Sequence, residues 1–176
     1  MPLGFLYIGK DLTLIAIAAG FILTTYIDLS RKYNLPGKQF FFWLVKPFLR
    51  DREYDTFSGA FYILLAGLIA GIFLDTPKAV AVMCFVILGD LVAALVGRRW
   101  GGIRLPGTTK TLEGTIGCFL VCLLVAVSVP GLPLRVGIPG AIAATAAEAY
   151  SINIDDNLAV VIASGAMMLL MSEFLV

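Results

Sequence analysis

The sequence predicts an all-α membrane protein: a polytopic bundle of about six transmembrane helices, forming one integral membrane domain over residues 1–176. Three observations predict it. Hydrophobic residues make up 60% of the chain and charged residues 14%, against about 25% charged in soluble domains, so the chain is better suited to lipid than to water. Six stretches approach the roughly 20 apolar residues that a span needs. Lysine and arginine collect in alternate connections between those stretches.

The six stretches are 12–29, 57–74, 78–97, 112–129, 134–150 and 158–176. The fifth is the least apolar, diluted by Pro139 and by Ala141, Ala143, Ala144, Ala146, Ala147 and Ala149. That alanine run suits close approach to neighbours and predicts a helix in the middle of the bundle. Gly67 and Gly71 form a G-x-x-x-G pair in the second span, which ordinary helix packing explains. Between the first two spans, segment 39–50 holds Phe40, Phe41, Phe42, Trp43, Lys46 and Pro47. It is too short to cross and is expected to lie along the membrane surface. The first apolar run lacks a basic leader and a small-residue cleavage site, so it reads as a retained helix.

The basic residues set an expected orientation. Arg31, Lys32, Lys38, Lys46, Arg50 and Arg52 follow the first span, and Arg98, Arg99, Arg104 and Lys110 follow the third. The opposite side holds Lys10, Lys78 and Arg135, a split of ten against three. By the positive-inside rule the N-terminus is outside and the loop after the third span is cytosolic. The acidic turn 151–156 falls on the same side.

Composition also excludes. Net charge is +1, so there is no broad basic surface for nucleic acid. Histidine is absent, which removes the commonest general base and the commonest zinc ligand. Cys84, Cys118 and Cys122 lie in apolar runs without a C-x-x-C pair and read as small packing hydrophobes.

Acids inside spans cost about 2.5–3.5 kcal/mol each on insertion scales and are functional candidates by default. Asp90 has no basic residue within a helical turn, so a cation, a ligand or another helix must satisfy it. Glu148 ends the fifth span near the same face, and Asp155, Asp156 and Asn157 follow after a short turn. Segment 97–114 reads G-R-R-W-G-G-I-R-L-P-G-T-T-K-T-L-E-G and runs into the fourth span. A helix N-terminus offers free N–H groups to phosphate. Gly107 and Gly114 supply backbone freedom, Thr108, Thr109 and Thr111 supply hydroxyls, and Lys110 supplies a point charge. It is not a Walker A loop, because Lys110 is displaced from Gly107 and a membrane helix precedes it. Glu113 is placed either to favour the helix dipole or to hold a metal ion. Carboxylates beside phosphate donors form the usual hard-oxygen site for Mg²⁺ and a nucleoside triphosphate. Such a site, cut into a lipid-facing bundle, suits a reaction between a soluble nucleotide and a lipid head.

Gly89-Asp90, the later Gly97 and Gly101, and Lys110-Thr111-Leu112-Glu113-Gly114 resemble the membrane superfamily of phosphatidate cytidylyltransferases and CTP-dependent lipid kinases. Segment 52–65 and Glu148 with Asp155-Asp156-Asn157 are similar to the dolichol and phytol kinase branch. The resemblance spans roughly residues 50–165, with the motifs concentrated between 89 and 157. The cytidylyltransferases continue with basic and His-Gly-Gly signatures. This chain has neither a histidine nor a lysine after Lys110. A proline often follows Asp-Asn in the kinase branch, and here Leu158 stands there.

The resemblance implies a kinase that transfers the terminal phosphate of CTP to a lipid alcohol: a polyprenol or dolichol, a phytol-like isoprenoid, or diacylglycerol. Asp90, Glu148 and Asp156 would hold Mg²⁺. Asn157 would join the Lys110 loop, including Glu113, in placing the triphosphate. Lys110 would neutralise the moving phosphoryl group, and either Asp90 or Asp155 would accept the hydroxyl proton. CTP rather than ATP is implied by the resemblance alone. The other enzyme reading is a cytidylyltransferase making a CDP-lipid and releasing pyrophosphate. A reading of another class is a small ion or solute transporter with Asp90 as ion ligand, which leaves the Lys110 loop without a task. The expected partners are the nucleotide, the lipid acceptor and membrane lipids, and a bundle this small is compatible with a homodimer.

Overall fold

The structure, a computed structural model, describes residues 1–33, 36, 39, 56–151 and 155–174. It is a helical membrane bundle. Among the described residues there are seven helices: α1 (Pro2–Tyr7), α2 (Lys10–Tyr33), α3 (Gly59–Phe73), α4 (Thr76–Trp100), α5 (Leu112–Ser128), α6 (Leu134–Tyr150) and α7 (Asp156–Glu173). Each of α2 to α7 falls on one of the six predicted stretches, and the short α1 adds to them. Apart from Gln39, the segment 39–50 lies outside the described residues, as do Lys38, Lys46, Arg50 and Arg52.

Three helices, α2, α4 and α7, are long and apolar enough to cross a membrane unaided. The helices α3 and α5 are apolar but shorter, at 15 and 17 residues. With a rise of about 1.5 Å per residue they reach roughly 22–26 Å, at or just below the lower end of the roughly 17–25 residues that a span takes. In α6 the glycines and alanines hold hydropathy down, as its sequence implied.

Helix starts are written in the sequence. Ser58, Asp75, Thr111 and Asp155 are the N-caps of α3, α4, α5 and α7, each accepting a backbone N–H through its side chain. These are the residue types whose short polar side chains satisfy the free N–H groups of a first turn. Pro139 lies inside α6, which nonetheless runs unbroken to Tyr150.

Neighbouring helices pack along the chain: α2 on α3, α4 on α5, α5 on α6 and α6 on α7, while α3 also meets α7. Buried Val80, Val82, Met83, Phe85 and Val86 make the first half of α4 the core of the bundle. The helix α6 sits between α5 and α7, burying Ala141, Ala144 and Ala149 as its alanine run predicts. Gly67 and Gly71 face the N-terminal region. A Cβ on Gly71 would come within 2.6 Å of Leu14 and 2.9 Å of Phe5, so this pair serves packing. Cys118 and Cys122 are buried free thiols whose sulfurs lie 4.0 Å apart.

Two glycines let α4 and α5 cross closely. A Cβ on Gly114 would fall 2.7 Å from the Ala93 carbonyl oxygen, and one on Gly97 would fall 2.8 Å from Thr111 Oγ1. The crossing brings the end of α4 against the start of α5.

The α2–α3 connection is held by a buried ion pair that the sequence reading did not single out. Asp28 accepts from Arg31 at 2.6 Å and, through its other oxygen, from the Ser58 N–H and hydroxyl at 2.9 Å each. Asp28 is 5% exposed and Arg31 9%. Removing one partner of a buried pair leaves the other charge uncompensated. Asp28→Ala is therefore expected to destabilise the bundle by about 3–5 kcal/mol, read as a lower thermal-unfolding midpoint in detergent. An unchanged midpoint would mean the pair does not hold α2 to α3.

Candidate active site

Asp90 follows directly on a π-helical turn, Phe85–Gly89, inside α4. The sequence reads as an unbroken helix there. A wide turn inserts a residue into the helical register and so re-aims the side chains after it; such turns are frequent at functional sites. Gly89 rests against two sulfurs of α5. A Cβ there would lie 3.1 Å from Cys118 Sγ and 3.3 Å from Cys122 Sγ. The cysteines thus pack beneath the residue that precedes Asp90.

Three parts of the chain converge on Asp90. Glu148 comes from the last turn of α6, Asp156 from the first residue of α7, and Lys110 from the loop before α5. One carboxylate oxygen from each of Asp90, Glu148 and Asp156 lies within 4.8 Å of the others. Lys110 Nζ donates to Glu148 Oε1 at 2.5 Å and to Asp156 Oδ2 at 2.7 Å. The second oxygen of Asp156 accepts from the Ser151 hydroxyl at 2.7 Å. Glu148 is 2% exposed, and its Oε2 has no hydrogen-bond partner among the described residues. Asp90 likewise has no donor among the described residues.

Asp90, Lys110, Glu148 and Asp156 line a cavity of about 320 Å³ together with Gly97, Arg98, Thr109, Thr111 and Gly114. That size is at the lower end for small-molecule sites. Three carboxylates against Lys110 and Arg98 leave a formal charge of −1. The donor set fits a hard divalent cation: clustered carboxylate oxygens, one of them buried and unpartnered.

The loop from Gly101 to Thr111 folds on itself. Gly107 takes φ +73°, a left-handed conformation favouring glycine. Leu105 N–H donates to the Lys110 carbonyl at 3.0 Å, Leu112 N–H to the Ile103 carbonyl at 2.8 Å, and Arg104 bridges Thr111. The N–H of Thr108 bonds the Leu105 carbonyl and that of Lys110 bonds Thr108 Oγ1. The N–H groups of Thr109 and Thr111 have no acceptor among the described residues, and both residues line the cavity. Thr111 Oγ1 caps α5 by accepting from Gly114 N–H at 3.2 Å.

Of the sequence-predicted site residues, Asp90, Thr109, Lys110, Thr111, Gly114, Glu148 and Asp156 line the cavity, and Gly107, Thr108, Glu113, Asp155 and Asn157 do not. Glu113 accepts from Ile103 N–H at 3.2 Å and so pins the loop to α5. Asp155 caps α7, accepting from the backbone and side-chain N–H groups of Asn157 at 3.1 and 3.0 Å. The sequence reading missed Ser151 and Arg98 as site residues. Arg98 was visible only as loop charge, and a lone serine in a turn carries no signal by itself.

Burial alone would lower the Lys110 pKa. The hydrogen bonds and charges of Asp156 and Glu148 outweigh it and hold the ammonium above the usual lysine value. A raised lysine pKa contributes stability that is fully present below the unfolded value, about 10.4, and is lost as pH rises through the higher folded value. Lys110→Met should therefore unfold at lower temperature than the wild type at pH 9. The gap should narrow as pH climbs past the lysine range, and a gap independent of pH would contradict the pairing.

Over 41 residues the chain is 49% identical to dolichol kinase of Saccharomyces cerevisiae, a stretch covering 21% of this chain and 8% of the yeast protein. The chain thus matches a small part of that relative's length. No family model matches the chain, and no solved structure does.

Proposed function

We propose that this protein is a membrane lipid kinase that transfers the terminal phosphate of CTP to the hydroxyl of a lipid alcohol, with Mg²⁺, at the cytosolic face. The observation that carries this reading is Lys110 set among Asp90, Glu148 and Asp156 at one end of an apolar bundle. The short match to yeast dolichol kinase supports the lipid-kinase class and a dolichol-like acceptor. The concentration of basic residues at the site's end of α4 supports the cytosolic orientation.

In the reaction, the lipid hydroxyl oxygen forms a bond to the terminal phosphorus. The bond from that phosphorus to its bridging oxygen breaks, and CDP leaves with the electron pair. The hydroxyl proton passes to a carboxylate. Asp90 suits that task better than Asp155, because Asp90 lines the cavity and Asp155 caps α7. Lys110 offsets charge on the transferring group, with Glu148 and Asp156 fixing its position. Thr109 and Thr111 line the same cavity, which makes their N–H groups candidate phosphate donors. Asp90, Glu148 and Asp156 would hold the magnesium ion, which when bound neutralises phosphate oxygens.

The test is purified protein in detergent with Mg²⁺, labelled CTP, a panel of lipid alcohols and phosphatidic acid. CDP formed only with an alcohol is the expected product. Asp90→Asn and Lys110→Ala are each expected to lower turnover by about 10²–10³-fold while the protein still extracts as a folded species. Pyrophosphate formed with phosphatidic acid would replace the kinase with a cytidylyltransferase. Solute flux through liposomes without nucleotide, and no product in the panel, would replace it with a transporter.

A further inference from the structure

A second, larger space adjoins the polar cavity. It is an open groove of about 770 Å³ walled by Val92, Leu95, Val96, Arg98, Arg99 and Trp100. The apolar members recur at i, i+3 and i+4 along the last turns of α4 and so share one face. All its lining residues belong to α4, and two of them, Val92 and Val96, also pack on α5 at Gly117, where a Cβ would lie 3.2 Å from Val92 and 3.0 Å from Val96. Its upper end changes character. Arg99 stacks over the Trp100 ring at 5.5 Å, and Arg98 and Trp100 complete the rim. Hydrocarbon below with cations and an indole above matches the depth profile of a membrane–water interface.

Arg98 belongs to both spaces, lining the groove and the polar cavity. Its Nε donates to the Ala94 carbonyl at 3.1 Å, which fixes the arm along α4. Its terminal nitrogens have no partner among the described residues. By contrast, Lys110 is bound by two carboxylates. Lys110 keeps one N–H beyond those two bonds, whereas both terminal nitrogens of Arg98 are open, and its planar guanidinium suits bidentate binding of a phosphate.

We propose that the groove along Val92, Leu95 and Val96 seats the hydrocarbon chain of the acceptor lipid, and that Arg98 holds the phosphate where groove and cavity meet. The proposal rests on the lipid-kinase reading for its substrate class. The continuity through Arg98 selects a chain carrying a polar, phosphate-accepting head over bulk lipid or a second copy of the protein. One residue would then face both the incoming head and the phosphorylated product.

Photolabelling tests the groove independently of turnover. Full-length protein in detergent is exposed to diazirine-bearing polyprenol and, separately, diazirine-bearing diacylglycerol. Label is expected to concentrate on residues 92–100 and to be displaced by the matching unlabelled alcohol, and the displaced probe names the lipid. Label spread evenly over the outward-facing helices, or confined to another helix, overturns the groove. In kinetics, Leu95→Trp is expected to raise KM for a long-chain alcohol about tenfold, while KM for nucleotide moves by less than about twofold. Equal values in wild type and variant overturn the groove as well. Arg98→Gln is expected to raise the inhibition constant of the lipid-phosphate product about tenfold, and unchanged inhibition removes Arg98 from the phosphate. Absence of CDP with every alcohol in the wild type defeats the kinase reading itself, and the labelling pattern still decides the groove.

Discussion

A single ammonium group bridges three elements that share no local sequence. Lys110 reaches Glu148 at the end of α6 and Asp156 at the start of α7, from a loop fixed to the start of α5. Two ionised carboxylates 4.8 Å apart repel by about 3.5 kcal/mol at an effective dielectric of 20. The three acids here stand within that distance of one another. Without a cation between them, the helix ends would be pushed apart. The lysine therefore serves as structure as well as candidate chemistry. Ser151 adds to the same constraint by engaging the other oxygen of Asp156.

That arrangement depends on how closely α4 and α5 approach. Gly97 and Gly114 remove the side chains that would separate them, and Thr111 fills the remaining space while capping α5. The loop between the helices is then short of room, and it closes by internal hydrogen bonds around Gly107. Glu113 ties its first residues back to α5. Packing between apolar helices thus sets the position of a polar loop, and the loop sets the position of Lys110.

Much of this was legible in the sequence, because the signals involved are strong. Apolar runs in lipid mark the helices, and short polar side chains mark where they begin. Asp90 and Glu148 stood out because an acid in an apolar run demands a partner. The partner itself was not legible: nothing in the spacing of Lys110, Glu148 and Asp156 says that they touch. Glu113 and Asp155 show the limit in another way. Each is an acid in the right motif, yet the backbone N–H groups beside it engage its carboxylate. Asp28 went unnoticed for the opposite reason, since its partner Arg31 looks like ordinary loop charge. The π-helical turn left no mark, because the residues Phe85 to Gly89 are as apolar as any helix interior.

That turn gives α4 two registers. An α-helix advances about 100° per residue, so one inserted residue rotates everything after it by more than a quarter of a circle relative to what came before. The half from Thr76 is keyed to the core through Val80, Val82 and Met83. The half from Asp90 is keyed to the cavity on one side and the open groove on another. A strictly regular helix would have to satisfy both surroundings with one periodic pattern. Here the wide turn works like a coupling between two shafts set at different angles, so that the bearing of Asp90 is set at Phe85–Gly89 rather than by the periodicity of the buried half.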